Sequence, residues 1–80
     1  FNPITNVRYD LPEEVFVDIT VYDMFGNTVK TLVNEKKSSG FKSVQWNAKN
    51  SQGQPVSAGV YIYTIEAGKN RQTKKMILLK

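Results

Sequence analysis

The side chains most often used for covalent, acid–base or metal chemistry are scarce in this chain. Its 80 residues include no Cys and no His, which removes disulfides, thiolate nucleophiles, Cys-type zinc sites and the usual general base. Three groupings remain. Lys36-Lys37-Ser38-Ser39 before Gly40 sets lysines beside hydroxyls, but a lysine becomes reactive when burial lowers its pKa, and this polar stretch has nothing to bury it. It reads as a solvated loop. Glu13 and Glu14 could pair as in a glycosidase, yet adjacent residues of an extended chain point to opposite faces. Asn47, Asn50, Ser51 and Gln52 around Gly53 have the oxygen density of a calcium loop but no carboxylate, and neutral oxygens alone hold calcium weakly. That stretch reads as a turn. Catalytic, cofactor and metal sites are all expected to be absent.

Binding chemistry has more to draw on. Phe41, Trp46, Tyr61 and Tyr63 could stack on a sugar, although a spacing of two within strands serves core packing equally well. Lys42, Lys69, Arg71, Lys74 and Lys75 are basic without the interleaved exposed aromatics that single-stranded nucleic acid requires, so no nucleic-acid partner is expected. The net charge of +4 is unevenly spread: residues 1–35 hold two basic and six acidic side chains, residues 36–80 nine basic and Glu66 alone. Such asymmetry suits an anionic partner such as lipopolysaccharide or nucleic acid, or acidic and basic strands that pair across a sheet. The linear pattern favours the second.

These residues must be positioned by strands. Alternation of period two dominates, and no window shows the i, i+3, i+4, i+7 spacing of an amphipathic helix. Val15, Val17, Ile19 and Val21 alternate with Phe16, Asp18 and Thr20 and are expected to face the core. Val7–Leu11 forms an earlier strand that Pro12 stops. Asp23-Met24-Phe25-Gly26-Asn27 turns the chain into Thr28–Val33, with Gly26 and Asn27 able to take positive φ. Asn34–Gly40 is expected to be a loop, Phe41–Trp46 a strand with Val44 and Trp46 inward, and Val56-Ser57-Ala58 an extended link. Val60–Ile65 is apolar or aromatic on both faces and is expected to be covered on each side. Ala67-Gly68-Lys69-Asn70 turns into Arg71–Leu79. With 40% hydrophobic residues, one domain of this length supports an all-β, antiparallel immunoglobulin-like sandwich of six to seven strands. The chain starts at Phe1 without a Met or a leader and is expected to be a piece of a longer polypeptide, with its boundary at Phe1-Asn2-Pro3.

Four stretches together carry a family resemblance: NPITNVRYDLP (Asn2 to Pro12), VDITVYDMFGNTVKTLV (Val17 to Val33), GFKSVQWNAKNSQGQPVSAGVYIYTIEAG (Gly40 to Gly68) and TKKMILLK (Thr73 to Lys80). The chain resembles the type A C-terminal sorting domain of the type IX secretion system. It is also similar to the immunoglobulin-like domain of the flagellar hook-cap protein, in the Asp23–Gly26 turn, Trp46 and the Gly59-Val60-Tyr61 strand. The first resemblance implies a non-catalytic C-terminal sandwich, residues 1–80, at the end of a secreted protein. Its partners would be a cargo fused at its N-terminus, the outer-membrane secretion machinery and a cell-surface sortase, with indirect linkage to anionic lipopolysaccharide. Its location would be the cell surface, reached through the periplasm and outer membrane. The implied recognition residues are Gly59, Val60 and Tyr61 with Lys75, Met76, Ile77, Leu78, Leu79 and Lys80. Where the family often has Asp after the Trp and in the next turn, this chain has Asn47 and Asn50. The alternative implied class is a structural or adhesive module, either of hook-cap type or carbohydrate-binding.

The run Met76–Leu79 allows two readings. It is an ordinary core strand, or it closes the sandwich while leaving an unpaired edge for a receptor to extend. Residue pattern alone favours the first, and the resemblance favours the second.

Overall fold

The computed structural model describes residues 4–79. The expected boundary at Phe1-Asn2-Pro3 and the recognition role expected of Lys80 lie outside the described residues. Six strands form, β1 (Thr5–Leu11), β2 (Val15–Tyr22), β3 (Thr28–Lys37), β4 (Gly40–Trp46), β5 (Gly59–Ala67) and β6 (Asn70–Leu78). They make a two-stranded sheet, β1-β4, and a four-stranded sheet in the order β3-β2-β5-β6. Every pairing is antiparallel. The all-β immunoglobulin-like class and the six strands follow from the alternation of the sequence.

The alternation of β2 works as expected for Val17, Ile19 and Val21, which are fully buried, while Val15 is half-buried. Their partners divide the core into two stacked clusters. One joins Val7, Leu11, Val17, Ile19, Val33 and Ile65. The other joins Val21, Trp46, Ala48, Tyr61, Met76 and Leu78 at the end where β6 finishes.

Three expectations need correction. The loop expected over Asn34–Gly40 is mostly strand: β3 runs to Lys37 and only Ser38 and Ser39 turn it into β4. Polar side chains continue the strand because β3 is an exposed sheet edge and they find partners there. The Asn34 amide donates to Asp18 Oδ2 at 2.7 Å, directly across the register, and Lys37 pairs with Glu35 at 2.7 Å. Secondly, β5 is central in its sheet but covered on one face only. Tyr61 and Ile65 are buried, whereas on the other face Val60 and Ile62 are half-buried and Thr64 alone is buried, sheltered by neighbouring side chains in place of a second layer. Thirdly, Phe41 is 89% exposed and joins neither the core nor an aromatic platform, since Trp46 and Tyr61 are themselves buried.

Two loops repeat one design. The Asp23 N–H donates to the Asn27 carbonyl, and the Gly26 N–H donates back to the Asp23 carbonyl. Asp23 Oδ1 accepts the N–H groups of Phe25 and Asn27, each at 2.9 Å. Asn50 makes the same set: its N–H reaches the Gln54 carbonyl, Gly53 donates to its carbonyl, and its Oδ1 accepts from Gln52 and Gln54 at 3.0 Å. The oxygen-rich stretch expected to be a turn is therefore one, with Asn50 Oδ1 committed to backbone. The Ser51 N–H, donating to the Val29 carbonyl at 3.1 Å, ties this second turn to β3.

Candidate functional site

The two separated stretches given a recognition role meet in space. The β5–β6 register sets Gly59 opposite Leu78, Val60 opposite Ile77, Tyr61 opposite Met76 and Ile62 opposite Lys75. A type of turn that favours glycine starts this pairing at the other end of the hairpin. Gly68 has φ +60, and a Cβ there would stand 2.8 Å from Val15 Cγ2, so a side chain would be strained by conformation and would displace Val15.

Pleating then sorts the residues by face. Tyr61, Met76 and Leu78 point inward onto Trp46. The Trp46 and Tyr61 rings meet edge-to-face with centroids 5.3 Å apart, a geometry aromatic quadrupoles favour. The Tyr61 hydroxyl donates to the Ser57 carbonyl at 2.6 Å, and the Trp46 indole N–H donates to the Lys49 carbonyl at 3.0 Å. Burial, and then the Asp23 carboxylate, push the Tyr61 phenol above its ordinary pKa of 10. It stays neutral and keeps its donor role. Gly59 enters β5 at φ +147 with open space around it, so conformation alone selects glycine there.

Facing outward are Val60, Lys75, Ile77 and Leu79. Ile77 is 51% exposed and Leu79 58%. Val60 beside Ile77, with Ile62 and Tyr22 in the next row, makes a small apolar patch at the end of the molecule where β6 finishes. β6 is an edge strand of its sheet.

Among the described residues, no cluster of three or more acidic, His or Cys side chains could hold a metal. Only part of the basic excess is paired. Lys36 lies 3.9 Å from Glu14, and Arg71 lies 3.6 Å from Glu66 directly across the hairpin. Lys69, Lys74 and Lys75 have no carboxylate within 4 Å among the described residues. Charge pairing across strands therefore covers part of the asymmetry, and β6 keeps a basic stripe.

Residues 4–71 match the FlgD Ig-like domain family. The chain belongs to that family. Its fold is shared by FlgD of P. aeruginosa, at 23% identity and TM-score 0.71 over 92% of this domain and 57% of that structure. It is also shared by dimeric latent PorU of Porphyromonas gingivalis, at 18% identity and TM-score 0.73 over 99% of the domain and 8% of PorU. A third likeness is to PorZ, a surface component of the type IX secretion system of the same bacterium, at 19% identity and TM-score 0.60, covering 82% of the domain and 8% of PorZ. The domain thus spans little more than half of FlgD and under a tenth of PorU or PorZ. No curated protein matches it significantly.

Two features escape a linear reading. The twinned turns have a signal, Asp-x-x-Gly-Asn and Asn-x-x-Gly-Gln, which becomes legible once the two are set side by side. The other is that Asn70–Lys75 is exposed on both faces. The absence of any apolar residue from Asn70 to Lys75 is the signal that nothing packs over that half of the strand.

Proposed function

We propose that this FlgD-like domain is a non-catalytic sorting domain: a C-terminal unit that directs a cargo fused to its N-terminus across the outer membrane to the cell surface. The secretion machinery reads it through the outward face of the terminal hairpin, and a surface sortase acts on the delivered protein, with lipopolysaccharide as an indirect partner. The observation that carries this reading is the division of labour in β6. Met76 and Leu78 hold the core, while Lys75 and Ile77 on the strand and Leu79 just past its end remain displayed. Apolar side chains grouped on the surface and flanked by a lysine form the kind of patch that a protein partner reads. The likeness to PorU and PorZ supports it.

The test is a periplasmic reporter fused to residues 1–80 in a bacterium with a type IX system. Surface reporter that disappears when the secretion machinery is deleted supports the proposal, and reporter retained in the periplasm overturns it.

A second reading, an assembly module of the hook-cap type, is favoured by the family match and by the FlgD structures. It predicts that the domain binds flagellar hook subunits and leaves the reporter's location unchanged.

A further inference from the structure

The half of β6 nearer its turn, Arg71–Lys75, differs from the displayed patch at the other end. It is the outer strand of a four-stranded sheet faced by a sheet of only two strands, so both of its faces are exposed. Counting along the antiparallel ladder from the Ala67–Asn70 closing pair aims the backbone groups of Arg71, Thr73 and Lys75 away from β5. Beside them a groove of about 550 Å³ opens between β1 and the β5–β6 hairpin; Leu11, Val15, Ile65 and Ala67 line it together with the carboxylates Asp10 and Glu13, so the groove suits apolar side chains and leaves acidic ones to the outer face.

Charge selects the occupant. On the outer face Arg71 and Lys75 flank Thr73. Lys75 has no carboxylate partner among the described residues, and the Arg71–Glu66 pair is exposed at 3.6 Å, which makes it a weak competitor. The same lysines that repel a second copy of β6 attract a carboxylate-bearing strand.

We propose that the Arg71–Lys75 edge is a docking site for an extended acidic segment of a partner protein. The segment adds as a further strand. Its carboxylates alternate with apolar side chains, which enter the groove over Leu11 and Ile65. This goes beyond the sorting reading and stands apart from it, because it concerns another stretch of β6 and is tested on the 80-residue chain alone.

The experiment is an amide NMR titration with a seven-residue peptide alternating Glu and Val. Controls are the Lys–Val counterpart and a scrambled Glu/Val peptide. The expected result is shifts confined to residues 71–75 and 8–11, binding that weakens with salt, and affinity at least about tenfold above either control. Thr73→Pro removes an outward N–H without touching the β5 ladder, and Arg71→Glu with Lys75→Glu reverses the charge. Each is expected to weaken binding about tenfold, with Trp46 and Leu78 signals unchanged to show that the fold is intact. The proposal is overturned by equal binding of the Lys–Val peptide, by shifts centred on the Val60–Ile77 patch, or by full affinity in Thr73→Pro. Self-association of the free domain through this edge would overturn it as well.

Discussion

Leu78 and Leu79 are the same residue type one position apart, yet Leu78 is 1% exposed and Leu79 58%. Strand β6 ends on Leu78, which its pleat turns inward into the cluster around Trp46, and Leu79 follows the strand into solvent. The difference teaches that one apolar run can serve two purposes: its inward members are fixed by packing, and its outward side chains are displayed for contact with something else. A lone exposed leucine needs no explanation. Ile77 paired with Val60 on the outer face of the hairpin, with exposed Leu79 just past the strand end, is a surface that the fold itself does not require.

The largest expected effect comes from the inner face. Leu78→Ala should destabilise the domain by about 2–5 kcal/mol, read as a drop in denaturation midpoint. A domain of this size holds only about 4–12 kcal/mol in total, so part of the population should unfold. A loss below about 1 kcal/mol would mean that β6 is not integral to the core. Truncation after Lys75 removes Met76 as well and should unfold the domain outright, so a truncated fusion cannot separate folding from recognition.

Next is the entry to the hairpin. Gly59→Ala forces a side chain onto φ +147 and should cost about 1–3 kcal/mol, again by chemical denaturation. A neutral result would show that β5 can begin in an ordinary strand conformation.

A smaller effect separates the twin turns. The Asn27 backbone N–H, aided by that of Phe25 and the Asn27 amide, outweighs partial desolvation and holds the Asp23 carboxyl below its ordinary 3.8. Its folded pKa is depressed, so its stabilising contribution is present above the unfolded value and lost as pH falls through the folded one. Amide signals of Phe25 and Asn27 should therefore move during acid titration with a midpoint below 3.8, the ordinary value. Those of Gln52 and Gln54, held by uncharged Asn50 in the same geometry, should not follow. Parallel movement of both turns would mean global acid unfolding.

Smallest of all is the outer face, where Leu79→Ala should change stability by less than about 0.5 kcal/mol. A large loss would make that face structural too.

Strand β2, the Gly68 hairpin and the inward direction of Trp46 were legible in the sequence because each is decided locally, by alternation or turn chemistry. The opposite sides taken by Met76 and Leu78 versus Ile77 and Leu79 were legible for the same reason. The extension of β3 through Asn34–Lys37 was not. Its polar residues look like a loop until Asp18 and Glu14 are placed across from them by tertiary pairing. Nor could alternation tell that β5 lacks a second covering layer, because a half-sheltered outer face reads as apolar as a buried one. The juxtaposition of Gly59-Val60-Tyr61 with Met76-Ile77-Leu78 depends on register, which only the folded hairpin supplies.

The central claim is that one face of the last strand folds the domain and the other face is read by the export machinery. Ile77→Asp with Leu79→Asp tests it, in the reporter fusion, with the purified domain checked for an unchanged denaturation midpoint. The account predicts a folded domain whose cargo stays in the periplasm. Cargo reaching the surface as efficiently as with the unaltered domain would contradict it.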